Sequence, residues 1–250
     1  MKRISINEAR EIFLSTDAKY ISQEQSQIYY DNFSGEIALD TYITSGCLVV
    51  KSDFNWHIHA ISVDSNISYA IQKTKELMDL DTQKLMVLTW DEIPDELNDK
   101  MGAYKFVRGY LPYSDQSVRE LTIDDYEQVK KCCSYDAMDN QIGKNLSNEF
   151  LTYYNDFIND VNVINLGLFI DNNLVGFVQS FLYKELDLST VNIYVNRVQR
   201  KKGYAKRLLS AICATSENMM YCYSCVKNNS ASINTAKSCG FQFKGAYLVI

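Results

Sequence analysis

The sequence predicts a mixed α/β protein, with a small N-terminal α/β domain at residues 1–115 and a second domain at residues 116–250. The chain has 250 residues, which suits one large domain or two ordinary ones. Short apolar runs alternate with amphipathic helical patterns along the chain. Proline, serine and aspartate cluster at Pro112–Gln116, which favours a domain boundary there.

Apolar runs and turn residues define the elements of the N-terminal domain. We expect a first helix, strands at Gly46–Lys51 and Trp56–Val63 joined by a turn at Asp53–Asn55, a helix at Ser68–Leu80 capped by Asn66 or Ser68, a strand at Leu85–Thr89, a helix from Pro94 to about Phe106, and a strand at Val107–Tyr113. Pro94 suits the first turn of a helix, where its missing N–H loses no hydrogen bond.

The second domain has a longer series of elements. We expect a strand at Val118–Leu121, a helix from a capping start at Thr122–Asp125 through Cys132, a helix at Leu146–Asp160, a hairpin of Leu166–Ile170 and Leu174–Lys184 about Asp171–Asn173, a strand at Thr190–Val195, a helix at Gly203–Glu217, a strand at Met219–Val226, a helix at Ser230–Ser238 and final strands within Phe241–Val249. Asparagine favours the hairpin turn because it tolerates left-handed backbone geometry.

Composition excludes several classes of function. The formal net charge is -6, and the broad basic surface on which duplex binding depends is therefore not expected. Neither a signal peptide nor an apolar run of membrane-spanning length is visible, so we expect no membrane partner. The seven cysteines follow no disulfide framework, which favours free thiols in a reducing cytoplasm.

The segment from Val191 to Arg207 carries the clearest chemical signal. A strand ends at Val195, and small residues at Gly203 and Ala205 then open a helix, so a ligand can approach the backbone closely. The amides and dipole of a helix start favour phosphate. The nearby cations favour several phosphates; they are Arg197, Arg200, Lys201, Lys202, Lys206 and Arg207. A merely solvated basic helix start is the alternative, and the segment matches neither a P-loop nor a dinucleotide fingerprint.

Two motifs in this half resemble the GNAT superfamily of N-acyltransferases. Arg200-x-x-Gly203-x-Ala205 is similar to the family's acetyl-CoA motif, (Arg/Gln)-x-x-Gly-x-(Gly/Ala). Downstream, Asn229-x-x-Ser232-x-x-x-Ala236-x-x-x-Gly240-Phe241 is similar to its closing segment. The expected order of elements over about residues 117–250 also resembles that family.

The resemblance implies a mixed sheet that splays between the Thr190–Val195 and Met219–Val226 strands, with acetyl-CoA as co-substrate and no metal. Pantetheine would pair with the first of these strands, and pyrophosphate would lie on the helix start. The implied cofactor-binding residues are Ile193, Tyr194, Val195, Arg200, Lys201, Lys202, Gly203, Tyr204, Ala205, Lys206, Asn229 and Ser232. The implied reaction is direct transfer of an acetyl group to a primary amine.

The chain departs from the family where acid and base residues are often located. Ala236 replaces a tyrosine that often acts as general acid, and Ser224 replaces a glutamate base of some members. The acid–base assignment therefore stays open. Weak catalytic candidates are Tyr194, Tyr204, Tyr247 and Glu185.

Two further pairs have the spacing of metal or redox sites. Cys222 and Cys225 lie on one predicted strand, where residues three apart face opposite ways, so we expect structural thiols. His57 and His59 share a strand face, but without a third ligand nearby we predict a surface or core pair.

The leading hypothesis is an acetyl-CoA-dependent N-acetyltransferase acting on a small-molecule amine. The layout resembles the zwittermicin A resistance-like branch of the superfamily, and the N-terminal domain can be read as a degenerate GNAT-like copy. The alternatives are a non-catalytic acyl-CoA-binding or sensing module and an acetyltransferase of protein amines. We expect a cytoplasmic monomer or homodimer with no nucleic-acid partner.

Overall fold

The computed structural model describes residues 1–15, 40–51, 55–60, 65–78, 84–90, 93, 95–134 and 148–250. The chain divides into two compact units. The first comprises Met1–Phe106, Ser224–Ser230 and Phe243–Ile250, and the second comprises Val107–Tyr223 and Ala231–Gln242. The division therefore passes through three strands and the first turn of one helix.

The first unit is a mixed sheet with helices. Its strands are β1 (Lys2–Ile4), β2 (Asp40–Thr44), β3 (Cys47–Lys51), β4 (Asn55–Ala60), β5 (Lys84–Trp90), most of β6 (Gly102–Arg108) and most of β12 (Gln242–Val249), and its helices are α1 (Ile6–Ser15) and α2 (Ile67–Lys75). The strand order is β1-β2-β3-β4-β5-β12-β6. Neighbours from β1 to β4 are antiparallel, β4 and β5 are parallel, and β5 and β12 are antiparallel.

Local sequence fixes where the helices of the first unit begin. Before α1, the Ser5 N–H donates to Glu8 Oε2 at 2.8 Å, and the Glu8 N–H donates to Ser5 Oγ at 3.2 Å, which makes a capping box. Before α2, Asn66 Oδ1 accepts from the Tyr69 N–H at 2.9 Å. One core cluster of this unit lies around Trp56, Ile58 and Val87. A second, around Phe13 and Leu48, lies beneath α1.

The second unit contains the longer series of elements. They are β7 (Val118–Glu120), α3 (Tyr126–Cys133), helical residues 148–152, α4 (Tyr154–Asn159), β8 (Val163–Ile170), β9 (Asn173–Tyr183), β10 (Leu188–Val195), α5 (Tyr204–Ile212), β11 (Met220–Val226, as far as Tyr223) and α6 (Ser230–Ser238, from Ala231). The strand order is β11-β10-β9-β8-β7. The β10–β11 pair is parallel, and the others are antiparallel.

Helices cover both faces of the second unit's sheet. Phe177 and Tyr194 lie opposite each other on β9 and β10 and pack in a buried cluster with residues of α3 and α4. The alternate residue Gly176 faces α5, because a Cβ added there would lie 3.2 Å from Leu208 Cδ1. The α3 and α4 helices therefore lie on one face, and α5 lies on the other.

The predicted fold class is confirmed, and so are most elements of the second unit. The Ser230–Ser238 helix has the predicted bounds, and the hairpin turns at Asp171 and Asn172, with φ of 49° and 60°. The Gly203–Glu217 helix is shorter than predicted, because α5 ends at Ile212. In the first unit the sequence prediction missed β1 and β2, and Asn66 is confirmed as the α2 cap. The predicted Asp53–Asn55 turn falls mainly on residues outside the described part of the chain.

The predicted helix from Pro94 to Phe106 and the strand at Val107–Tyr113 are wrong. The described residues there form a short 3₁₀ turn, Asp95–Leu97, followed by β6 at Gly102–Arg108. Pairing with a distant strand decides this outcome, because β6 lies beside β12, and a Cβ added to Gly102 would overlap the Tyr247 carbonyl oxygen of β12. Local pattern cannot reveal a partner so far along the chain, and tertiary pairing overrides weak local propensity.

His57 and His59 form the predicted packing pair within the core of the first unit. Both are buried on β4, their rings stack with centroids 6.4 Å apart, and Phe13 meets the His59 ring edge at 5.8 Å. Burial lowers the pKa of His57 to about 4 and that of His59 to about 3. No described group of three or more His, Cys, Asp or Glu side chains has an arrangement that holds a metal ion.

The buried histidines make the fold sensitive to acid. Their native pKa values lie below the ordinary 6.5, so the unfolded chain binds more protons as pH falls from about 6.5 towards 4. We expect the free energy of unfolding to fall across this range, by about 1.4 kcal/mol for each unit of pKa difference. In His57→Leu and His59→Leu the denaturant-derived curve of stability against pH should be flatter. Parallel curves for variants and wild type would contradict this assignment.

Candidate functional site

The parallel pair β10–β11 ends before β10 does. Its register runs from Leu188–Met220 to Val191–Tyr223 and stops there. On the other side, β10 stays paired with β9 as far as Val195, opposite Gly176. Within the described part of the chain, the last residues of β10 therefore have a strand partner on one side only, as expected from the splayed sheet.

Ile193 and Val195 direct their backbone groups into this gap. The Asn196 N–H donates to a β9 carbonyl at 3.0 Å, in register with the β9–β10 ladder. Hydrogen-bonded pairs alternate along antiparallel strands, so Tyr194 also directs its backbone groups towards β9. The intervening residues, Ile193 and Val195, direct theirs the other way. The Val195 carbonyl accepts from Arg200 Nε at 3.1 Å, which leaves the Ile193 groups and the Val195 N–H facing the gap.

The loop after β10 turns its amides outwards. Lys201 and Gly203 have left-handed φ angles of 63° and 79°, and Gly203 is the N-cap of α5. No backbone N–H from Lys201 to Lys206 donates to another residue of the described chain. A Cβ added at Gly203 would meet no atom of the described part of the chain within 4 Å, which leaves open space beside these amides. Alternating left-handed residues and a free helix start are a geometry that binds anions.

Exposed cations flank the outward-facing amides. Lys201, Lys202 and Lys206 are exposed, and Lys202 Nζ donates to Gln199 Oε1 at 2.7 Å. Arg200 is also exposed, and its guanidinium turns back to the end of β10. Positive charge and amide donors are thus concentrated in one short segment, which suits a ligand with more than one phosphate.

Arg207 belongs to an ion pair that the sequence did not reveal. Its Nε and Nη2 donate to the two carboxylate oxygens of Asp115 at 2.6 and 2.8 Å. The Tyr113 hydroxyl and the Ser117 N–H also donate to this carboxylate, at 3.1 and 3.0 Å. These hydrogen bonds lower the pKa of Asp115 to about 2, and the hydrogen bonding from Arg207 has the largest effect. Arg207 therefore holds α5 to the segment before β7 instead of adding a free cation.

The candidate tyrosines of the second unit have different surroundings. Tyr194 is buried, its ring stacks on Phe177 with centroids 5.2 Å apart, and its hydroxyl donates to the Cys132 carbonyl at 3.3 Å. Tyr204 is half-buried at the first position of α5. Glu185 lies in a 3₁₀ turn before β10, and its side chain is outside the described part of the structure. Of these residues, only Tyr204 has a described phenol outside the core.

The remaining predicted residues are divided between the units. Asn229 and Tyr247 belong to the first unit, whereas Ser232 belongs to the second, in the first turn of α6. The Tyr247 hydroxyl contacts the Met86 sulfur.

The first unit also contains a polar contact that sequence reasoning missed. Lys105 Nζ on β6 donates to Ser224 Oγ on β11 at 2.7 Å. The sequence could not indicate this hydrogen bond, because the two residues are far apart along the chain and only the folded sheet brings them together.

Cys222 and Cys225 do not form a disulfide. None of the seven cysteines forms a disulfide, and all of them are buried, as expected for structural thiols. Burial raises the pKa of Cys225 to about 11, which keeps that thiol protonated at neutral pH. Among the described helices, none has the length and apolar character needed to cross a membrane.

Comparisons with known proteins agree with this fold. The model of the acetyltransferase (GNAT) family matches residues 116–241, just over half of the chain. A GNAT-family acetyltransferase from Colwellia psychrerythraea is similar at 12% identity and a TM-score of 0.59, over 100% of this chain and 98% of that one. A GCN5-related N-acetyltransferase from Sphaerobacter thermophilus is similar at 10% identity and a TM-score of 0.51, over 99% and 93%. Such low identities indicate the fold alone. No curated protein matches significantly in sequence.

We expect Asp115→Asn to destabilise the second unit by about 1–3 kcal/mol at neutral pH, because charge-assisted hydrogen bonds are lost. The native pKa of Asp115, about 2, lies below the ordinary 3.8, so its stabilisation is present above pH 4 and is lost as pH falls through 2. Denaturant titrations at several pH values measure the difference. The matched control is Asp124→Asn, on an exposed carboxylate. Equal effects of both variants would contradict the assignment.

Proposed function

The chain belongs to the GNAT family of acetyltransferases, and we propose that it moves an acetyl group from acetyl-CoA directly to a primary amine of a small molecule. The observation that carries this proposal is the pairing of an open strand edge at Ile193–Val195 with the outward-facing amides of Lys201–Lys206. Acetyl-CoA supplies the activated thioester of the reaction. The finer likeness to the zwittermicin A resistance-like branch stays a prediction.

The residues present fit a coenzyme A group. The amides of Lys201–Lys206 would hold the pyrophosphate, with Lys201, Lys202 and Lys206 adding positive charge. Ile193 and the Val195 N–H would pair with the amides of the pantetheine arm, because these backbone groups need a partner that β11 does not provide. A strand N–H at this edge would also polarise the thioester carbonyl. The roles of Asn229 and Ser232 stay predictions.

The proposed reaction needs a general acid and a general base, and the surroundings of the predicted residues favour some of them over others. An amine must be neutral to attack, and the leaving sulfur must gain a proton. The buried phenol of Tyr194 is engaged with the Cys132 carbonyl, so Tyr204 is the stronger tyrosine candidate of the second unit. Tyr247 and Glu185 stay predictions.

Two alternatives remain distinct from the leading proposal. A non-catalytic acyl-CoA-binding module is favoured by Ala236 and Ser224, which lack the acid and base groups found in some relatives. Such a module would bind CoA without releasing thiol from acetyl-CoA faster than the uncatalysed reaction. An acetyltransferase of protein amines would modify peptides in preference to small amines, which an assay of both acceptor classes would reveal.

We also propose that residues 1–115 are a degenerate copy of the fold formed by residues 116–250. Each unit has a first strand, a capped helix, antiparallel strands, a further helix and then a strand parallel to the one before that helix. The capping boxes match, with Ser5 and Glu8 in one unit and Thr122 and Asp125 in the other. The β2–β3 and β8–β9 hairpins both turn through two residues of positive φ, which are Ser45 and Gly46 in one unit and Asp171 and Asn172 in the other.

The degenerate copy lacks the features that favour phosphate. Residues 61–70 contain no Lys, Arg or Gly. The first turn of α2 is capped by its own Asn66 side chain, which accepts from the Tyr69 N–H. A helix start that satisfies its amides internally has less to offer an anion.

We therefore expect one CoA to bind per chain. Isothermal titration of CoA into the whole protein measures this stoichiometry. Saturation with two equivalents would contradict the proposed loss of function in residues 1–115.

Gly203→Asp should weaken CoA binding by at least about tenfold, since the carboxylate would fill the open space and repel the pyrophosphate. Titration of CoA into wild type and variant gives the two dissociation constants. Gly240→Asp is a matched control, because Gly240 has the same φ of 79° and the same open space. Equal loss in both variants would indicate backbone strain, and unchanged binding to Gly203→Asp would remove the proposed phosphate site.

A further inference from the structure

A row of uncharged polar side chains crosses the sheet of the second unit. Asn165 on β8 is paired with Gln179 on β9, and Gln179 is paired in turn with Asn192 on β10. Directly opposed residues share a face of the sheet. This is the face of Phe177 and Tyr194, which residues of α3 and α4 cover in a buried, largely apolar cluster. Burying amides among aromatic rings is unfavourable unless they are hydrogen-bonded, so the row needs an explanation.

Hydrogen bonds give the buried part of the row a fixed direction. Asn165 Nδ2 donates to the Phe157 carbonyl at 2.9 Å, and Gln179 Nε2 donates to Asn165 Oδ1 at 3.2 Å. A carbonyl only accepts, so the Asn165 amide nitrogen must face Phe157 and its oxygen must face Gln179. One of the two Nε2 hydrogens of Gln179 is thereby committed to Asn165. Its Oε1 is left as the acceptor at the end of the chain.

The other end of the row lies where the pairing of β10 with β11 ends. Asn192 is the first β10 residue beyond the last paired one, Val191, and it is half-buried. Its carboxamide makes no hydrogen bond to another residue of the described chain. Thr190, two residues earlier on the same face, is only 1% exposed, and its Oγ1 has no hydrogen-bond partner among the described residues. Thr190 and Asn192, the residues on either side of Val191, thus carry polar groups that no described residue of the chain satisfies. They lie where the pairing of β10 with β11 ends.

The backbone links this polar pair to the proposed chemistry. Ile193 directs its N–H into the gap, and it follows Asn192 directly, so the two Cα atoms are about 3.8 Å apart. The side chains of Asn192 and Thr190 emerge on the α3–α4 face, which is opposite to the face covered by α5. A cofactor bound at the start of α5 would lie towards the α5 face of the sheet. The acceptor amine could then approach from the opposite, α3–α4 face.

We propose that Asn192 and Thr190, backed by Gln179 and Asn165, bind the amino group of the acceptor through oxygen atoms. This rests on the proposed function. In the transfer, the amine nitrogen forms a C–N bond to the acetyl carbon while the C–S bond breaks. The proton that the nitrogen loses balances the one that the leaving sulfur gains. The two side chains orient the nitrogen and do not take part in bond formation.

Ethylamine is a suitable probe, since it presents a primary amine and little else. Titrated into the wild-type CoA complex, it should shift the side-chain amide NMR signals of Asn192 and Gln179. In thiol-release assays with acetyl-CoA, Asn192→Leu and Thr190→Val should raise the KM for ethylamine about tenfold while the Kd of CoA changes less than about twofold. Asn192→Asp keeps an oxygen in place and should restore most of the amine affinity.

Thr89→Val is the matched control, because Thr89 is a buried strand threonine of the first unit whose Oγ1 also has no hydrogen-bond partner. It should leave the KM for ethylamine unchanged. Loss of CoA affinity in Asn192→Leu would assign the residue to the cofactor and overturn the proposal, as would an absent NMR shift in a wild type that binds CoA. A wild type that binds no CoA would instead overturn the proposed function itself.

Discussion

The loss of a strand partner beyond Val191 is the constraint on which the second unit's site depends. Backbone N–H and C=O groups that leave a ladder need other partners. One of them, the Val195 carbonyl, is satisfied within the chain by Arg200. The remaining groups at Ile193 and Val195 stay directed into the gap. The end of the β10–β11 pairing at Val191 also lies between Thr190 and Asn192, whose polar side chains can meet a ligand there.

Most of the second unit could be predicted because its signals are local. The Asp171–Asn172 turn depends on residues that tolerate positive φ, and the Thr122–Asp125 capping box depends on a spacing of three residues. The β6 strand could not be predicted in this way. Its residues become a strand through pairing with β12, more than a hundred positions away, and a short stretch of sequence carries no record of that partner.

The candidate site shows the same distinction between local and distant information. Gly203 and the surrounding cations were visible in the sequence because a helix start and its charges are contiguous. The Asp115–Arg207 pair was not visible, because it joins residues that only the fold brings together. The carboxamide row also needs strand register, since Asn165, Gln179 and Asn192 have no common spacing along the chain.

The two helix starts after β4 and β10 illustrate how one structural position can be either closed or open to a ligand. At α2, Asn66 satisfies a first-turn amide with its own side chain, and the helix needs nothing further there. At α5, Gly203 has no side chain to offer, and its left-handed φ turns the preceding amides outwards. The amides at the start of α5 are therefore available to an anion, which would supply the stabilisation that a side-chain cap supplies in other helices. Because a ligand that binds only the folded state stabilises that state, an anion bound at the start of α5 would give this helix the stabilisation that α2 has from Asn66.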